Sequence, residues 1–285
     1  MILDDLAIAT KKRIEKQKEE ERADALFEEV QTLLASGYQN PAENRLGAFP
    51  FEKALGGRAN LETELENPGD ADKKHFAIIS EVKKASPSKG TIAEEFPYLA
   101  IAKEYEAAGA DAISCLTEPD YFKGSDQYLM EIAKEVAIPV LRKDFTVDPY
   151  MIYQARKFGA SAVLLIAAIL TDEELKEYFR IAESMGLSCL FEAHDAEEVE
   201  RCLAAGARIL GVNNRNLKDF TVDINNSVRL REMVPADIIF VSESGISKSS
   251  DVKTLKSNGT NAVLIGEMLM RSNEKSKLIA ELKEA

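Results

Sequence analysis

Apolar residues recur along this chain in two rhythms. Up to about residue 77 they return at helical spacing, as Leu3, Leu6, Ala7 and Ile14, then Leu26, Phe27, Val30, Leu33 and Leu34, which is the period of one helix face. Residues 11–21 are almost wholly charged, with opposite signs three or four positions apart, and predict a helix face turned to solvent. Residues 60–74 are polar, contain Pro68-Gly69, and predict a loop. From Phe76 the rhythm changes to short continuous apolar runs at 78–82, 112–116, 139–141, 162–166, 188–191, 209–212, 238–241 and 262–265, with amphipathic patterns such as 99–108, 173–184 and 196–205 between them. Continuous runs suit strands covered on both faces, and the spacing leaves room for a crossover helix each time. Gly109-Ala110, Gly159-Ala160 and Gly206-Ala207 fall where a helix should end, with glycine as the left-handed cap. Eight such units predict an α/β fold, a (β/α)8 TIM barrel over residues 76–285 with an N-terminal helical extension, residues 1–75, packed on it. An open doubly wound sheet competes, but no G-x-G-x-x-G opens the first helix.

Composition narrows the partners. The 285 residues are 45% apolar and 30% charged, enough for a sizeable core, and carry a net charge of −13. An acidic surface without a basic run repels nucleic acid and anionic lipid, so neither is expected as a partner. The longest apolar run, 162–170, is about half the ~18 residues that span a bilayer. Residues 1–11 carry Asp4 and Asp5 and lack the apolar stretch of a signal peptide. Cys115, Cys189 and Cys202 show no C-x-x-C or zinc spacing, and two of them sit inside apolar runs and read as small buried hydrophobes, so a cytoplasmic setting is expected. With only His75 and His194 there is no convincing metal triad, and His194 reads as a polar residue at a helix start.

In a barrel the chemistry gathers at the carboxyl ends of the strands. Those ends are polar here: Glu81-Val82-Lys83-Lys84, Arg142-Lys143-Asp144, Glu192, Asn213-Asn214-Arg215 and Ser242-Glu243-Ser244-Gly245. Strand side chains alternate, so apolar Val82 should face the helices while Glu81 and Lys83 share the barrel mouth. Lysines and glutamates confined together shift one another's proton affinities and supply both a donor and an acceptor. Gly245 and Gly266, in the loops after strands seven and eight, let backbone N–H groups approach an anion, the usual phosphate position of barrels. The segment Ala85-Ser86-Pro87-Ser88-Lys89-Gly90 predicts a mobile lid with a hinge at Gly90, which a proline there should stiffen.

These residues resemble the indole-3-glycerol phosphate synthase family. The matching stretches are Ile79 to Ser88, Leu116-Thr117-Glu118 with Tyr121 to Ser125, Arg142-Lys143-Asp144-Phe145, Glu192-Ala193, Val212 to Leu217, Glu243-Ser244-Gly245-Ile246 and Leu264-Ile265-Gly266. The resemblance implies closure of 1-(2-carboxyphenylamino)-1-deoxyribulose 5-phosphate to indole-3-glycerol phosphate with loss of carbon dioxide and water, without cofactor, metal or obligate protein partner. It assigns Lys143 as general acid, Lys83 as a cation for the substrate carboxylate, Glu81 and Glu192 as catalytic carboxylates and Asn213 as a hydrogen-bond donor. Ser86, Phe122, Arg215 and Glu243 fall among its substrate-binding positions. Phosphate should rest on Ser244, Gly245, Gly266 and the N–H of Glu267. Members with serine at position 267 differ from this chain, whose glutamate carboxylate should turn away from the phosphate. A general-acid lysine is expected to have its pKa lowered toward neutrality. A Schiff-base aldolase using Lys143 or Lys83, a retaining glycosidase using two glutamates, and a phosphate-binding barrel acting mainly as a partner in a complex are the competing readings.

Overall fold

The computed structural model describes residues 2–56, 75–216 and 219–285; the loop expected at 60–74 and Leu217 lie outside the described residues. Eight parallel strands close on themselves: β1 (Ala77–Val82), β2 (Ala112–Leu116), β3 (Val140–Lys143), β4 (Ala162–Ile166), β5 (Ser188–Ala193), β6 (Ile209–Asn213), β7 (Ile239–Glu243) and β8 (Ala262–Ile265). Closure is made by β1 against β8, with Ala77 opposite Ala262 and Ser80 opposite Ile265. Nearly every strand residue is buried, which explains the continuous apolar runs. At their carboxyl ends β3, β5, β6 and β7 run one or two residues past those runs, through Lys143, Glu192, Asn213 and Glu243. Polarity hid these ends from a hydrophobic pattern, yet backbone pairing continues through them.

Among the described residues four helices precede the barrel: α1 (Ile2–Glu20), α2 (Ala23–Ala35), α3 (Pro41–Leu46) and α4 (Pro50–Ala54). Leu3, Leu6, Ala7, Ile14, Leu26 and Val30 are buried as their spacing predicts, whereas Phe27 stays partly exposed with its ring edge on Tyr153. Asn40 caps α3 through a reciprocal pair with Glu43, and Glu43 also binds the buried Arg156 guanidinium at 2.6 Å. The charged run in α1 is not simply a solvated face. Arg13 Nη2 donates to both Asp144 oxygens at 2.9 and 2.8 Å, and Lys18 Nζ reaches Asp148 at 2.5 Å. Local charge spacing cannot reveal partners more than a hundred residues away, which is why these side chains read as solvent-facing.

The barrel helices include α5 (Tyr98–Ala107), α6 (Asp126–Glu135), α7 (Pro149–Lys157), α8 (Asp172–Ser184) and α9 (Ala196–Ala204). They continue with α10 (Asn225–Arg231), α11 (Ser249–Ser257), α12 (Glu267–Arg271) and α13 (Lys275–Glu284). The three predicted glycine caps all take positive φ. All three cysteines are free and buried. Among the described residues no helix is long and apolar enough to cross a membrane.

Candidate active site

A cavity of about 810 Å³ opens at the carboxyl ends of the strands. Alternation along each strand decides which side chains reach it. On β3, Arg142 turns outward to Asp126 (2.8 Å) and the Met151 carbonyl among the helices, while Lys143 turns inward. Phe191 of β5 meets Phe179 on the helical side, and its neighbour Glu192 points in. Glu81, Lys143, Glu192 and Glu243 thus come from β1, β3, β5 and β7, the alternate strands from which a (β/α)8 barrel builds one interior layer. Here that layer is charged.

Lys143 is its centre. Its Nζ lies 2.8 Å from Glu192 Oε2 and 3.1 Å from Glu243 Oε2. Asn213 Nδ2 donates to the other Glu192 oxygen at 3.1 Å, and Asn213 Oδ1 accepts from the Arg215 backbone N–H at 3.0 Å. Lys83 Nζ pairs with Glu81 at 2.5 Å, so these two share the mouth as strand alternation predicts. Two glycines create the space. A Cβ on Gly211 of β6 would collide with Glu243 Oε1, and one on Gly266 would collide with Glu81 and Lys83.

The electrostatics correct one expectation. Burial acts to lower the Lys143 pKa, but Glu192, Glu243 and Glu81 outweigh it and push it up, so the lysine is a firmly held cation. Burial also opposes ionisation of Glu192, yet Lys143 and His194 bring it down to about 2. For Glu243, burial is the larger effect and, with the nearby Glu192, raises the carboxyl to about 7 despite Lys143. Glu243 Oε1 is buried without a hydrogen-bond partner, as suits a carboxyl that exchanges a proton near neutrality.

Around this layer the remaining predicted residues line the same cavity: Ser86, Phe122, Arg215, Ser244, Gly245, Gly266 and Glu267. Glu118 organises the loop carrying Phe122, accepting from the backbone N–H groups of Asp120, Tyr121 and Phe122 at 2.8 to 3.0 Å. Phe145 stands 6.2 Å from the Phe122 ring, and Leu3 and Leu6 of α1 also face the cavity. The sequence offered no signal for the helix residues, and Phe145 was visible only as the neighbour of Lys143-Asp144. Ser244 and Gly245 both have positive φ, and the Asn214 side chain donates to the Ser244 carbonyl at 3.0 Å. The Glu267 carboxylate is drawn to Arg271 (3.1 Å) and to Lys89 of the first loop (3.7 Å).

A closed (β/α)8 barrel whose mouth holds two lysines against three buried glutamates is an enzyme of acid–base chemistry. More narrowly, the chain belongs to the indole-3-glycerol phosphate synthase family, whose model matches residues 45–282. It is 52% identical over 283 residues to the indole-3-glycerol phosphate synthase of Ruminiclostridium cellulolyticum, covering 99% of both chains. The Lacticaseibacillus paracasei enzyme of the same name is 51% identical across 100% of this chain and 99% of its own. Among solved structures, 3-hexulose-6-phosphate synthase from Salmonella typhimurium superposes with a TM-score of 0.61 at 14% identity, over 73% of this chain and 97% of that one. At that identity the likeness concerns the barrel alone.

Proposed function

We propose that this chain converts 1-(2-carboxyphenylamino)-1-deoxyribulose 5-phosphate to indole-3-glycerol phosphate, releasing carbon dioxide and water, a carboxy-lyase step of tryptophan biosynthesis. Family membership supports the reaction, and the observation that carries the mechanism is Lys143 Nζ wedged between Glu192 and Glu243. Attack of the aromatic carbon on the ketone places negative charge on the carbonyl oxygen, and the buried Lys143 ammonium delivers a proton there. Carbon dioxide leaves from the attacking ring carbon, its bonding pair returning to the ring, and Glu192, ionised and oriented by Asn213, takes the proton from the carbon next to nitrogen as the protonated hydroxyl departs as water. Lys83 exchanges its contact with Glu81 for the substrate carboxylate, helped by Ser86 and Arg215, and Phe122 and Phe145 wall the aromatic ring. Phosphate rests on the Ser244 hydroxyl and the backbone N–H groups of Gly245, Gly266 and Glu267, where small residues permit close approach. The division of proton transfers belongs to the coupled Lys143–Glu192–Glu243 group rather than to one residue.

The firm charge on Lys143 weighs against a Schiff-base aldolase, which needs a free amine. Ammonium and carboxylate groups of one chain supply every proton transfer, so the reading asks for no cofactor, metal or protein partner. Residues 1–75 act as an extension on the catalytic barrel of 76–285, and the buried free thiols suit a reducing cytoplasm. Incubating the purified chain with the carboxyphenylamino ribulose phosphate should produce a rise in indole fluorescence. Absence of that signal from folded protein, or trapping of substrate on lysine by borohydride, would overturn the assignment.

A further inference from the structure

Behind Glu192 stands an imidazole that the reaction as described does not use. His194 follows the end of β5 and precedes Asp195, the cap of α9. Its Nδ1 lies 3.0 Å from Glu198 Oε2, its backbone N–H donates to that same oxygen at 2.7 Å, and Asn226 of α10 donates to its carbonyl at 3.0 Å. The ring is therefore held in place. Its Nε2 is buried, makes no hydrogen bond, and sits 3.4 Å from Glu192 Oε1, the oxygen that also accepts from Asn213. The charged groups acting on the ring are Glu192 on β5, Glu198 on α9 and Glu243 on β7, all carboxylic, while Lys143 of β3 binds the opposite oxygen of Glu192.

We propose that His194 is a positioning residue for Glu192: as an imidazolium it faces Oε1 while Lys143 holds Oε2, fixing the carboxylate ionised and oriented to take a proton from the substrate. The proposal rests on Glu192 being the base. An imidazole enclosed by carboxylates is stabilised by carrying a proton, and although burial opposes that charge, Glu198, Glu192 and Glu243 raise its pKa. Glu198 has a second part in this arrangement, because it anchors the ring from the side away from the reaction. When Glu192 accepts the substrate proton its charge is neutralised, and the imidazolium keeps Glu198 as its counter-ion.

The chain has two histidines, so their ¹⁵N imidazole signals can be followed against pH, with the spectrum of His194→Gln making the assignment. His194 should titrate above the ordinary ~6.5, and its pKa should fall in Glu192→Gln. In His194→Gln the acidic limb of kcat/KM should move to higher pH, since losing the positive charge eases protonation of Glu192. A His194 that titrates at its ordinary value and is unmoved by Glu192→Gln overturns the proposal, as does a His194→Gln enzyme with lowered kcat and an unmoved limb. Should His194→Gln fail to fold, comparison of the wild type with Glu192→Gln decides, the signal then being assigned from His75→Gln. Full turnover by Glu192→Gln would instead remove Glu192 as the base, an outcome separate from the histidine titration.

Discussion

Lys143 is charged before any substrate arrives, and its three carboxylate neighbours set that state. Its ammonium is useful to the reaction only when bound substrate alters this balance, so a Lys143→Ala variant should bind substrate nearly as well and lose ~10²–10⁴ in kcat. Single-turnover fluorescence measures that loss directly, and a wild-type kcat would remove Lys143 from the mechanism. Gly245 makes a second residue-level case. Its φ is +82°, and an added side chain would run into Val222. Gly245→Val should therefore raise KM strongly for the phosphorylated substrate and much less for its dephosphorylated analogue, the two substrates and two proteins forming a cycle. Equal penalties in a variant of unchanged melting temperature would place the phosphate elsewhere. The pairing of Glu81 with Lys83 was legible because alternation along a strand needs no tertiary knowledge. Glu243 was only half legible. Its contact with Lys143 depends on strands far apart in sequence, and the signal that could have found it was Gly211, a glycine within a strand where a side chain from the next strand comes close.

Among the elements, the loop after β1 does not suit the expected stiffening by proline at Gly90. Ala85–Ser86 and Gly90–Thr91 form a short antiparallel pair around a turn at 87–89, and Gly90, directly after that turn, has φ +64°. Proline cannot take that angle, so Gly90→Pro would break the turn instead of stiffening it. Gly90→Ala is the better probe, because a Cβ there meets no atom within 4 Å and only the backbone preference changes. That preference is about 1 kcal/mol. If the loop closes over substrate, kcat and KM should shift together by up to several-fold; stopped-flow measurement of both would show an ordinary surface loop if neither moves. Lys123, from the loop after β2, donates to Thr91 at 2.9 Å and so joins the two loops. The barrel elements were legible because burial on both faces leaves a continuous apolar signature. How α1 docks was not, because Arg13 finds Asp144 at a separation of 131 residues.

For the whole molecule, the buried carboxyl of Glu243 ties stability to pH. An unfolded glutamate titrates near ~4.3, and in the fold Glu243 is raised to about 7. Between those values the folded state binds the extra proton, so this group's contribution is fully present at low pH and is lost as pH rises toward 7. Glu192 has the opposite sign: its contribution is present above the unfolded value and lost as pH falls toward about 2. Differential scanning calorimetry from pH 5 to 8 should show the wild type losing melting temperature relative to Glu243→Gln, and parallel curves would refute the linkage. The closure of β1 on β8 has a consequence in time. A ribosome releases Ala77 long before its partner Ala262, so the early strand must wait with one edge unsatisfied while the rest of the sheet is made. Gly266 meets Glu81 and Lys83 across this same seam. The nascent chain therefore gains its complete catalytic mouth only with its final strand, and a half-synthesised copy has no finished site in which to hold a substrate.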